Sequence, residues 1–225
     1  MIRSATRVVG VLVFAALAAA PAAAGWKEIP IDVAVPARLE TQPGEKTLVA
    51  RFRASDHERI DIGLEVARWV KREIARQTSL SVIDVTPPPI PEQRPERMAV
   101  NDTFWRQLGK DFGADLIVSG VAEYSVADRS GFVTEDVVSP VTGQTVRQSR
   151  FTQLTGFRLK LQVFFFKGDN GALLHDGIWS DERVMEGAEP EDLQVLYELL
   201  DTMADDLRAV LLPVTIKQSR FIWVE

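Results

Sequence analysis

Residues 60–77 constrain the fold most. Ile62, Val66, Trp69, Val70 and Ile74 fall at i, i+4, i+7, i+8 and i+12, with Glu65, Arg68, Lys71, Arg72 and Arg76 filling the other side. This spacing predicts an amphipathic helix with one wide apolar stripe, and such a stripe must be covered by a second layer. Strand-forming runs flank it on both sides: KTLVARF at 46–52, and SLSVIDV at 79–85 with Leu80, Val82, Ile83 and Val85. Ser55 and Asp56 are the turn or N-cap candidates between the first strand and the helix.

The rest of the chain extends this alternation. TPPPIPEQRPER at 86–97 holds five prolines, which exclude helix and central strand and predict a stiff surface loop. Asn101 or Asp102 caps a short helix carrying Phe104, Leu108 and Phe112 on one side, closed by Gly113. ADLIVSGVAEY at 114–124 is a near-continuous apolar run expected to be a central strand, with Gly120 letting a helix lie close on the sheet. At 157–166 Phe157, Leu159, Leu161 and Val163 alternate with Arg158, Lys160 and Gln162, the clearest strand pattern in the chain. Gly168-Asp169-Asn170-Gly171 supplies a tight turn, after which 173–179 returns antiparallel. A last helix is expected over 191–212, ended by Pro213, and a closing strand over 214–224.

The element order predicts an α/β fold: a mixed sheet packed against about three helices in one domain, 45–225. Residues 25–44, spaced by Pro30, Pro36 and Pro43, read as an extended N-terminal arm. Residues 125–156, with turn signals at Ser139-Pro140 and Thr142-Gly143, read as a protruding hairpin or loop excursion. Its apolar residues Phe132, Val137, Val138 and Phe151 are the candidates for contact with a partner. Trp69 and Trp105 are expected in the core, and the five tryptophans form no cluster in sequence.

Residues 1–24 follow the grammar of a cleavable secretory signal peptide. Arg3 and Arg7 precede an apolar stretch at 8–20, and Pro21 leads into Ala22-Ala23-Ala24. The apolar run is short and alanine-rich, whereas a spanning helix needs about 20 apolar residues. The expectation is a periplasmic or otherwise exported chain, soluble after cleavage and without a transmembrane span. There is no cysteine, hence no disulfide, no thiolate ligand and no acceptor for a lipoprotein anchor. Removing Arg3 and Arg7 moves the charge balance from -6 to 24 - 32 = -8, which disfavours nucleic acid and anionic lipid head groups as partners.

The inventory of chemistry-bearing residues is thin. His57 lies in a polar Ser-Asp-His-Glu stretch where a dyad or metal site can be imagined, but no HxH or HExxH partner accompanies it, and a solvated loop histidine is the simpler reading. His175 reads as a surface or edge residue. No nucleophile elbow, phosphate loop or dinucleotide fingerprint occurs. Asp169-Asn170-Gly171 lacks the rest of a calcium loop. Glu182, Glu186, Glu189, Glu191 and Asp192 leave open a hydrolase with a carboxylate pair, although acids there also complement the N-terminus of the following helix. No catalytic residue, metal ligand or cofactor is assigned, and a non-enzymatic protein is expected.

The segments KTLVARF, SLSVIDV and FWRQLGKDFGADLIVSGVAEY together resemble the curli production assembly/transport family and the N-terminal domain of the periplasmic Tol-Pal beta-propeller protein. The resemblance rests on Leu108-Gly109-Lys110, Gly113-Ala114-Asp115, Ile117-Val118 and Gly120-Val121, and extends over roughly 45–224. It implies an anticodon-binding-domain-like α/β fold and an assembly role in the cell envelope, with an envelope protein or a second copy as partner. Asp128, Arg129, Glu135, Asp136, Arg147 and Arg150 interrupt the excursion, so it lacks the apolar alternation of a lipid-facing strand. A small-ligand-binding domain is a further alternative.

Overall fold

The expected helix forms as α1, Ile62–Gln77, and buries Ile62, Val66, Trp69, Val70 and Ile74. Its N-cap is Asp61 rather than Ser55: the Asp61 carboxylate accepts a hydrogen bond from the Leu64 amide at 3.1 Å. The computed structural model describes residues 25–55, 57, 59–138, 140, 143–187 and 191–224. The 1–24 leader, the Asp56 cap candidate, Ser139 and Thr142 of the turn signals, and Glu189 lie outside them.

The strands are β1 (Gly25–Val35), β2 (Lys46–Ala54), β3 (Ser81–Val82), β4 (Leu116–Asp128), β5 (Gly131–Val138), β6 (Thr145–Thr152), β7 (Leu154–Lys167), β8 (Leu173–Glu186) and β9 (Val214–Val224). The later helices are α2 (Pro95–Ala99), α3 (Asp102–Phe112), α4 (Asp192–Thr202) and α5 (Ala204–Leu211). Two compact units result, one from 34–214 and one from the residues up to Val33 together with Thr215–Glu225.

The larger unit is the mixed α/β fold expected from the sequence. Its five-stranded sheet has the order β3-β2-β4-β7-β8, with β2 parallel to β3 and β4, and β7 antiparallel to both β4 and β8. Each sheet face has its own core. Val49, Val118, Leu159, Leu161 and Phe165 meet α1, α4 and α5, while Leu48, Ile117, Phe164 and Phe166 meet α2 and α3. The crossover from β2 through α1 goes to one side of β2. The next, through α2 and α3, goes to the other, so β2 and β4 flank a topological switch point.

Several boundaries differ from those expected. SLSVIDV pairs with β2 only at Ser81 and Val82. Beyond them the proline segment takes over that edge: the Arg51 amide donates to Pro88 O at 2.9 Å, and Pro87 and Pro88 are buried, while the last three residues of 86–97 are helical, Pro95 opening α2 where a missing amide costs nothing. The expected single helix over 191–212 breaks at Met203, whose amide donates back to Leu200 O. There the Thr202 hydroxyl is held by Leu199 O at 2.6 Å and Asp181 at 2.8 Å. In α3 the buried face carries Trp105, Leu108 and Gly109, with Phe112 exposed. Trp105 stacks on Phe166 with ring centroids 4.1 Å apart and donates to Met98 O at 2.7 Å.

The smaller unit pairs β1 with β9 as a two-stranded ribbon. The segment 25–35 is thus strand rather than unpaired arm. Pro30 is tolerated because each strand of a two-stranded ribbon has a free edge on which a missing amide is not needed. The ribbon brings Trp26 and Trp223, at opposite ends of the chain, edge to face with ring centroids 5.6 Å apart.

Candidate functional site

Within the excursion, the described segments 131–138 and 145–152 form an antiparallel ribbon. Strand β5 pairs with β6 in the register Phe132↔Phe151, Thr134↔Ser149, Asp136↔Arg147, Val137↔Val146 and Val138↔Thr145. Side chains alternate along a strand. Phe132, Phe151 and Val138 therefore share one face, whereas Val137 lies on the other with Val146, so the four candidate contact residues divide three to one. Phe132 is 78% exposed and Phe151 57%. Their rings meet edge to face at 5.5 Å, a contact that does not shield them from water.

Polar pairs set the ribbon's register. Thr134 and Ser149 hydroxyls lie 3.0 Å apart, Asp136 meets Arg147 at 3.4 Å, and on the opposite face Arg150 meets Glu135 at 3.2 Å and Glu186 at 3.6 Å. At its root the Ser130 hydroxyl accepts from the Leu154 amide at 3.0 Å, and the Ser130 amide donates to Asp128 at 2.8 Å. Hydrogen bonds from the Ser130 side chain and backbone hold the Asp128 carboxyl below its usual value. An isolated two-stranded ribbon is marginal in water, and exposed ion pairs add little.

The two histidines have more structure around them than expected. His57 is docked rather than solvated: its Nε2 lies 3.7 Å from the Asp192 carboxylate and its ring meets Tyr124 at 5.7 Å. Burial, then the Asp192 charge, push the Tyr124 phenol well above its usual value, so it stays neutral and donates to Asp192 O at 3.2 Å. His175, half-buried on β8, has a buried Nε2 with no hydrogen-bond partner among the described residues. Burial and then Arg38 lower its pKa, against the opposing charge of Asp176. Among the described residues no group of three or more His, Asp or Glu side chains is placed to hold a metal.

The acids are mostly engaged by cations. Glu182 meets Arg129 and Arg158, both at 3.0 Å, Glu186 meets Arg150, and Asp192 stands in the first turn of α4 beside His57. Glu191 is the N-cap residue of α4, with no side-chain cap bond. Asp169 and Asn170 make the expected turn: Lys167 pairs with Asp169 at 3.0 Å, and the Ala172 amide donates to the Asn170 side chain at 2.9 Å.

The residues behind the family resemblance have packing roles. Gly113 ends α3 at φ 61°, and Asp115 receives the Lys46 amide at 3.0 Å. A Cβ on Gly109 would stand 2.2 Å from Gly168 O, which explains how α3 meets the β7–β8 turn. A Cβ on Gly120 would meet Gln162 O at 2.0 Å and Phe52 at 2.6 Å. Gly120 thus makes room for a neighbouring strand and a side chain, not for a helix.

The sequence reading missed a cleft of about 940 Å³ at the C-terminal end of β2, lined by Arg51, Arg53, Arg59 and Arg94 with Asp61 and Glu92. These arginines come from three separate segments. The register slips between Val49 and Phe52, so that both residues face the α1 side although three positions apart. Arg51 pairs with Asp61, and the Arg53 guanidinium donates to Gln93 O at 2.7 Å. A smaller cavity of about 330 Å³ adjoins it, sharing Arg53 and Arg94 and reaching β4 at Val121 and Glu123. The RxR spacing of Arg51 and Arg53 at the end of a strand is a sequence signal from which this could have been found.

No protein-family model matches the chain, and no curated protein matches it. Among solved structures it is similar to the PelC dodecamer from Paraburkholderia phytofirmans, at 14% identity and TM-score 0.37, covering 80% of this chain and 97% of that one. It is also similar to lipoprotein GNA1162 from Neisseria meningitidis, at 10% identity and TM-score 0.40, covering 72% and 97%. A third similarity is to the LpoB C-terminal domain from Salmonella enterica, at 10% identity and TM-score 0.35, covering 63% and 84%.

Proposed function

We propose that this chain is a non-enzymatic exported protein of the cell envelope that works by binding another protein, with the Phe132, Phe151 and Val138 face of the β5–β6 ribbon as its contact surface. The exposed cross-strand Phe132–Phe151 pair carries this reading. Two aromatic rings paired across a ladder present a large exposed apolar area, which is the composition of a binding hot spot. A ribbon solvated on both faces also gains most from being covered. The partner is an envelope protein or a second copy, and the periplasmic location rests on the 1–24 leader.

A pull-down from envelope extracts comparing the wild type with Phe132→Ser/Phe151→Ser tests the assignment. The variant is expected to lose the retained partner or the self-association. An unchanged set of bound proteins would remove the ribbon from the account.

A further inference from the structure

We propose that the arginine-lined cleft at the C-terminal end of β2 is a binding site for a phosphate-bearing ligand. Its position is the first argument. The cleft opens beyond the carboxyl end of β2, and through Arg53 and Arg94 it adjoins the smaller cavity that reaches β4 at Val121 and Glu123, next to the switch point where neighbouring crossovers turn to opposite faces and leave room for a ligand. The cleft has β2 on one side, the 89–94 proline segment on another, and the start of α1 at Asp61, Ile62 and Gly63. Its 940 Å³ falls in the range of small-molecule sites.

The second argument is charge. The whole chain carries a formal -6, and among the described residues the cleft lining gathers four arginines with Asp61 and Glu92. Asp56 and Glu58, in the same loop, lie outside the described residues. Gathering like charges in an acidic protein is unfavourable unless something offsets their repulsion. Asp61 offsets one of the four, pairing with Arg51 while capping α1 through the Leu64 amide. Arg53 donates to a neutral carbonyl, and among the described residues no side chain or backbone group pairs with the guanidinium of Arg59 or Arg94.

The third argument is donor geometry. Every lysine-type or arginine-type cation lining the cleft is an arginine, whose planar fork offers paired N–H donors matched to the oxygens of phosphate. Arg53 and Arg94 also line the adjoining 330 Å³ cavity, so a ligand with its phosphate between them has space on both sides for a larger body. A soluble phosphate ester and a lipid headgroup share this chemistry.

The test uses the full mature chain, with inorganic pyrophosphate as the soluble probe and phosphatidylcholine vesicles containing phosphatidylglycerol as the lipid probe. Thermal unfolding and vesicle sedimentation are compared for the wild type, Arg59→Gln/Arg94→Gln, and the charge-matched control Arg68→Gln/Arg76→Gln on the solvent side of α1. Among the described residues neither cleft arginine has a side-chain partner to lose, so the cleft variant without ligand should melt with the wild type. Arg53→Gln serves as a second variant should it not.

The expected result is a rise in the wild-type and control midpoints with pyrophosphate, with affinity falling about tenfold or more per cleft arginine removed, the scale of a charge-assisted hydrogen bond. Vesicle binding lost only in the cleft variants, without a pyrophosphate effect, would support the site with lipid as the source. Absence of both effects in the wild type, or equal losses in control and cleft variants, would overturn the proposal.

Discussion

Phe132 and Phe151 stand directly opposite each other across the β5–β6 ladder, edge to face at 5.5 Å, with more than half of each side chain in water. A pair kept for folding would be covered. Truncating either ring, by Phe132→Ser or Phe151→Ser, should therefore cost less than about 1 kcal/mol in urea unfolding, the scale of a cross-strand pair on an exposed face. A loss above about 2 kcal/mol would make the pair a folding element instead.

Trp105 is the opposite case. It is buried, stacks on Phe166 and donates its indole N–H to Met98 O, tying α2, α3 and β7 together. Trp105→Ala should destabilise by roughly 3–5 kcal/mol, from lost burial and the cavity left behind. Trp105→Phe should recover part of this but remove the indole donor from Met98 O, which keeps the longer Asn101 amide bond at 3.3 Å, and denaturant unfolding of both variants measures the split.

Two glycines should respond for different reasons. A Cβ on Gly168 would stand 1.8 Å from Ala114 O, so Gly168→Ala forces backbone to move where β7 leaves the sheet. At Gly113 the space is open, and the cost is only that of an L-residue at φ 61°. Gly113→Ala should cost about 1 kcal/mol and Gly168→Ala more, and the order of their melting temperatures reads this directly.

What the sequence made legible was local. The stripe of α1, the Asn101 side chain accepting from the Phe104 amide at 3.3 Å, and the left-handed Gly113 are set by residues within a few positions of one another. The strand of 157–166 carries its own alternation, and Phe157, Leu159, Leu161 and Val163 are all buried. What stayed hidden depends on distant partners. Nothing near Pro30 says that β9 will pair with β1, and nothing in KTLVARF announces the register slip that Ser119 marks by donating to Arg51 O. The cleft arginines are the clearest example, since 51–53, 59 and 94 meet only once the proline segment folds back along β2. Facing was also legible only in part: the four apolar ribbon residues were visible, but their division between two faces follows from a register the sequence does not state.

His175 gives the fold a dependence on pH. Its folded pKa lies below the ordinary 6.5, because burial and then Arg38 disfavour the imidazolium by more than Asp176 favours it. Below about 6.5 the unfolded chain therefore binds the proton more readily than the native one. Stability should be fully present above that pH and decline as the pH falls towards the folded value. His175→Gln should flatten this acid limb in melts taken across the range. Parallel limbs in the variant and the wild type would assign the loss to other groups.

The most direct measurement for the ribbon is face-specific crosslinking in the intact envelope. A photoreactive residue would be placed at position 132 or 138 on the aromatic face, and at 148 on the opposite one. The account predicts a discrete adduct from 132 and 138, with an envelope protein or a second copy, and none from 148. Equal crosslinking from both faces, or no adduct from 132 while 148 reacts, would contradict it.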